Sequence, residues 1–215
     1  MRSFFLYGKY IEDMKSILLT GFEPFGGSRL NPSIEACKKY DEKVFNDFKI
    51  RVVEIPLKYK EIRSFLIEVI EGNKPIAIIC TGQAGSSTIN LERVAINVAD
   101  ARIPYNCGTQ PIDEPIVVNG PVAYFSSLPL RKILSSLQNA KIPSTISNSA
   151  GTFGCNHIFY ELMHYLSQKN LNTPAGFVHV PSLPEQVIGK NQPSMDLRLI
   201  TEAIGVILES LTADL

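Results

Sequence analysis

Short β-rich runs alternate with helical stretches along the chain. Ser16 to Thr20, Ile50 to Ile55, Ile76 to Thr81, Val94 to Val98, Thr145 to Ser147 and Gly176 to Val180 read as strands. Several are apolar on both faces, as befits strands covered by helices on both sides, so the pattern predicts a three-layer α/β domain. Ser33 to Tyr40, Tyr59 to Glu71, Pro129 to Asn139, Cys155 to Gln168 and Pro193 to Leu211 read as helices. In the last, Leu197, Ile200, Ala203, Ile204, Ile207, Leu208 and Leu211 fall on one stripe. The segment Ala101 to Val122 holds Pro104, Gly108, Pro111, Pro115, Gly120 and Pro121, and reads as a long ordered loop or small hairpin. No internal repeat or second hydrophobic pattern marks another domain. Met14 opens MKSILLTGF, which begins a strand at once. Residues 1–13 are therefore expected to be a short extension ahead of one domain over 14–215, with Met1 and Met14 both open as the start.

Composition narrows the partners. Of 215 residues, 45% are apolar and 20% charged, which is ordinary globular usage. Lys plus Arg equals Asp plus Glu at 21 each, so no cationic excess is available to bind nucleic acid or an anionic membrane. A small neutral substrate suits this balance better. No run approaches the roughly 18 to 20 apolar residues of a spanning helix, and Phe4 to Tyr7 is too short for a secretory core of ~7–15 residues. The expected compartment is the cytoplasm. Cys37, Cys80, Cys107 and Cys155 show no C-x-x-C pair and no nearby His at zinc spacing, so free thiols are expected, with neither metal nor disulfide framework.

One of those thiols sits where chemistry is favoured. TISNSAGTFGCNHIFYELMHYL reads as a strand, a Gly-bearing turn and a helix whose first turn holds Cys155. Unpaired N–H groups and the positive end of the helix dipole favour a thiolate there, and the same groups can receive an oxyanion. The plain alternative is a cysteine packed against the sheet. A nucleophile needs a base, and the chain offers three histidines: His157, His164 and His179. His157 lies two residues on, about 200° around the helix, and His164 lies about 13 Å along the axis, so neither suits. His179, at the end of GFVHVP, falls at a strand end, where α/β folds place their crevice. Glu92 is the candidate to orient the imidazole, at the opening of the Val94 strand, with Asp100, Asp113 and Glu185 as rivals. The turn GFEPFGG lacks the spacing and the Lys of a phosphate loop. Its Phe22 and Phe25 suggest a rigid apolar wall instead.

TGFEPFGGSRLNPS, then GQAG followed by ERVAINVADARIP, then SNSAGTFGCNH followed by FVHVPSLPEQ, resemble the pyroglutamyl peptidase I family from about Ser16 to Ile207. The resemblance implies a Cys155, His179 and Glu92 triad and removes the three rival carboxylates. It places Phe22 and Phe25 around the pyroglutamyl ring and Arg102 close by. It further implies a single-domain three-layer α/β/α sandwich with a mixed central sheet, a homotetramer, peptides with N-terminal pyroglutamate as substrates, and no cofactor. The chain departs from the pattern in the loop Ala84 to Leu91, which is one residue short, and at Gly154, where a bulkier apolar residue is usual and a looser ring pocket is expected. A phosphorylase-like glycosyltransferase on a related fold and a non-catalytic binding module are the competing readings.

Overall fold

The computed structural model describes residues 14–213 and 215. The expected extension over 1–13 lies outside the described residues. Among the described residues, nine strands form two sheets. The main sheet runs in the order β2 (Val44–Phe45), β3 (Phe48–Ile55), β1 (Ser16–Phe22), β4 (Ala77–Ala84), β9 (Ala175–Pro181), β5 (Ile89–Glu92), β8 (Ser144–Ser147). Strands β3, β1, β4 and β9 are parallel neighbours, β5 runs antiparallel to β9, and β8 is parallel to β5. The sheet is therefore mixed, as expected. β6 (Val94–Ile96) and β7 (Ala123–Phe125) make a separate antiparallel ribbon.

Among the described residues, five α-helices cover both faces: α1 (Pro32–Cys37), α2 (Ile62–Asn73), α3 (Leu130–Asn139), α4 (Gly154–Gln168) and α5 (Leu197–Thr212). Strand alternation assigns the faces. Ile17, Leu19, Ala77, Ile79, Val178 and Val180 pack with Ala36, Leu137, Ile204 and Leu208, from α1, α3 and α5. Leu18, Ile78, Cys80 and Phe177 pack with Leu66 and Ile70 of α2 and Ile158, Phe159 and Leu162 of α4. Because successive strand residues point to opposite faces, both sides of β1, β4 and β9 are buried. The unbroken apolar runs of the sequence thus have their cause in two helical layers.

Two expectations need correction. Glu92 does not open the Val94 strand. It closes β5, a main-sheet strand too short and too polar at its Ser-Ser-Thr approach to stand out by periodicity. α5 begins at Leu197 rather than Pro193, because the Asp196 carboxylate accepts from Arg198 N at 2.8 Å and so caps the helix there. The segment 97–122 is a long loop held by an isolated bridge between Ala99 and Glu114, as its prolines indicate.

Candidate active site

Strand parity delivers the site. On β9, Phe177 faces the α4 layer while Val178 faces away, so His179 also faces α4. On β5, Ile89 and Leu91 join the opposite core, which turns Asn90 and Glu92 to the α4 side. Antiparallel pairing sets Asn90 opposite His179 and Glu92 opposite Phe177, making Glu92 and His179 diagonal neighbours. Their side chains meet: His179 Nδ1 lies 2.7 Å from Glu92 Oε1, with both residues buried. That contact commits Nδ1 and leaves Nε2 for the nucleophile. Glu92 Oε2 is buried without a hydrogen-bond partner among the described residues.

Cys155 is the second residue of α4 and half-buried, and its sulfur lies over Gly82, the strand neighbour of His179. Burial alone would lower the imidazole pKa. The neighbouring Cys155, followed by Glu92, outweighs it and pushes His179 up to about 10. That direction favours an imidazolium beside the Cys155 sulfur. Near its start, α4 leaves the amides of Gly154, Cys155 and Asn156 without carbonyl partners in the helix. The start of α4 is pinned by Asn156: its Oδ1 accepts from Ile96 N at 2.9 Å, and its Nδ2 donates to Ile96 O and Val98 O at 2.9 and 3.0 Å.

The other histidines are elsewhere, as helix geometry required. His157 is buried beside the Tyr59 ring, 4.9 Å between centroids, and desolvation drops its pKa to about 4. His164 Nδ1 lies 2.8 Å from the Tyr124 hydroxyl. Among the rival carboxylates, Asp100 lines the cleft, but Glu92 makes the contact to His179.

A cleft of about 370 Å³ opens over the sulfur, lined by Phe22, Phe25, Arg102, Phe153, Cys155 and His179 among others. Phe22 and Phe25 both stand on this lining. Glu23 fixes the turn that carries it, accepting at Oε1 from Leu57 N at 2.8 Å and from Asn106 Nδ2 at 2.7 Å. Gly154 does not loosen the pocket: a Cβ there would meet Leu57 Cδ1 at 2.3 Å, so Leu57 fills the space a larger residue would take.

Three site residues escaped the sequence reading. A Cβ on Gly82 would meet Cys155 Sγ at 2.7 Å, so this strand glycine makes room for the Cys155 sulfur. A glycine inside an otherwise apolar strand was the available signal, since it marks close approach. Gln83 faces the cleft mouth, with Nε2 donating to Ser182 Oγ at 2.8 Å and Oε1 accepting from Gln186 Nε2 at 3.2 Å. Asn156 had no signal beyond its place beside Cys155.

Cys37 and Cys80 are buried thiols, each pushed up to about 12 chiefly by desolvation. Cys107 is exposed, and the Thr109 hydroxyl beside it lowers its pKa. Sequence alone supplied the exposure but not the activation.

A three-layer α/β fold with a thiol at a helix start, facing a His–Glu pair at the sheet ends, defines a cysteine-type hydrolase. The sequence profile described as pyroglutamyl peptidase matches residues 15–213. A pyrrolidone-carboxylate peptidase from Vibrio campbellii is 47% identical over 198 residues, covering 92% of each chain. One from Bacillus cytotoxicus is 50% identical over 198 residues, 91% of this chain and 92% of the other. The crystal structure of pyroglutamyl peptidase I from Bacillus amyloliquefaciens matches with a TM-score of 0.90 at 41% identity, over 93% of this chain and 97% of that one. The chain belongs to the pyroglutamyl peptidase family.

Proposed function

We propose that Cys155, His179 and Glu92 form the triad by which this chain hydrolyses the bond after an N-terminal pyroglutamyl residue. The observation that carries the assignment is the 2.7 Å contact between His179 Nδ1 and Glu92 Oε1, with the Cys155 sulfur over Gly82, the ladder partner of His179. The Cys155 thiolate attacks the pyroglutamyl carbonyl carbon, and the oxyanion is received by the amides opening α4, with Arg102 at the cleft edge. His179 Nε2 delivers its proton to the amide nitrogen as the C–N bond breaks and the shortened peptide leaves. The thioester is then attacked by a water whose proton passes to His179, releasing pyroglutamate and the thiolate. Glu92 holds the ring and stabilises the imidazolium.

Selectivity follows from desolvation. Pyroglutamate is a neutral lactam, whereas a glutaminyl terminus would bring an ammonium against Phe22 and Phe25, at a cost of several kcal/mol if left unpaired. The decisive assay is hydrolysis of a pyroglutamyl fluorogenic amide against the prolyl and glutaminyl amides. Turnover of the glutaminyl amide at the pyroglutamyl rate, or full activity in Cys155→Ser, would refute the reading.

In this reading the enzyme works in the cytoplasm as a homotetramer, without a cofactor. The four free thiols support a reducing compartment. Ile112, Val118, Val122 and Phe125, exposed by 77%, 74%, 87% and 69%, give one stretch of chain an apolar surface fit for a subunit contact. Light scattering decides the assembly, and a monomer at micromolar concentration would overturn that part alone.

A further inference from the structure

A second cleft, of about 600 Å³, joins the catalytic one and shares Phe25, Gln83 and Arg102 with it. The rest of its lining includes Ser28, Ser182, Gln186 and Lys190, with no Asp or Glu. It is a built surface. Gln186 ties its two sides together, donating from Nε2 to Ser28 Oγ at 3.0 Å and to Gln83 Oε1 at 3.2 Å, while Lys190 Nζ donates to Gln186 O at 2.9 Å. Two cations therefore border a polar groove whose lining carries no opposing charge, in a chain whose overall charge is balanced. No carboxylate forms an ion pair with Arg102 or Lys190 among the described residues.

The chemistry of the reaction says what can reach it. Pyroglutamate closes the N-terminus, so nothing of the substrate extends beyond the ring on the acyl side. A cleft continuous with the sulfur but outside the ring pocket is open only to the chain that leaves. We propose that this groove binds the leaving peptide, and that Arg102 and Lys190 make it favour a carboxylate just after the scissile bond. That carboxylate comes from an acidic second residue or from the free C-terminus of a short peptide. The inference rests on the peptidase reading above and adds the preferred substrate class.

The test uses the intact enzyme and two matched pairs: pyroglutamyl-Asp-amide against pyroglutamyl-Asn-amide, and pyroglutamyl-Ala against pyroglutamyl-Ala-amide, with a neutral pyroglutamyl fluorogenic amide as reference. The first pair reports a side-chain carboxylate and the second a terminal one. In one pair or both, kcat/KM is expected to favour the carboxylate by ~2–5-fold, the scale of partly exposed charge pairs. The preference should shrink with rising ionic strength and in Lys190→Gln. Because each result is a ratio within one enzyme, loss of folded protein cancels. Equal rates within both pairs, or a ratio in Lys190→Gln equal to the parent's, would overturn the groove while leaving the peptidase intact. Failure to cleave even the reference amide would overturn both.

Discussion

Gly82→Ala isolates the geometry of the nucleophile. Gly82 pairs directly with His179 across the β4 and β9 ladder, so a side chain there enters the space between the strand and α4. Its backbone is not among the positive-φ glycines, and alanine therefore brings no conformational strain. What it brings is volume. The new Cβ would stand 2.7 Å from Cys155 Sγ and 2.8 Å from Phe177 Cζ, when ordinary contact begins near 3.4 Å. Sulfur must retreat by about 0.7 Å if the strand holds, and Phe177, which meets the His179 ring edge-on at 4.9 Å between centroids, is pressed as well. A misplacement of about 1 Å costs about 10²-fold in rate, so kcat/KM on the pyroglutamyl fluorogenic amide should fall by roughly 10- to 100-fold. Overpacking should cost about 1–3 kcal/mol of stability, leaving a folded enzyme whose thiol can still be titrated. Gly72→Ala is the control: nothing lies within 4 Å of its Cβ, and the helix should gain up to ~1 kcal/mol. A Gly82→Ala enzyme with kcat/KM within about twofold of the parent would show that room beside Sγ is not what positions the nucleophile.

Glu92→Gln should move the alkaline limb of the activity profile to lower pH. The carboxylate helps raise His179 toward about 10, and the imidazolium it favours is lost as pH rises through that value; an unmoved limb would refute this coupling. His157, held neutral down to about 4 against an ordinary 6.5, should make the protein lose stability as pH falls between those values, by up to roughly 3 kcal/mol. Urea titrations of the parent and of His157→Gln should show the slope diminished in the variant. Gly154→Ala should destabilise by about 1–3 kcal/mol through the Leu57 contact, and Leu57→Ala should then cost less in combination than alone; strictly additive effects would deny the contact. Limited iodoacetamide treatment should label Cys155 and the exposed Cys107 while sparing Cys37 and Cys80, with activity tracking Cys155 alone. Peptide mapping reads it, and activity lost in proportion to Cys107 would contradict the assignment.

The sequence by itself determined the layers and singled out the candidate nucleophile. Apolar runs such as IAIIC required helices on both faces, and Cys155 announced itself through a local feature, a helix start after a Gly-bearing turn. Counting histidines along that helix excluded His157 and His164 without coordinates, because helical angles are local. The tertiary structure decided what depends on pairing between distant segments. Glu92 belongs to a four-residue strand whose periodicity is too short to read, and only its antiparallel register with β9 turns it toward His179. Gly82 and Leu57 matter through residues 73 and 97 positions away along the chain, Cys155 and Gly154, close approaches that no window of sequence contains. The same holds for the groove between Arg102 and Lys190. Side chains from separate loops share a cleft only once the sheet has set its strand order.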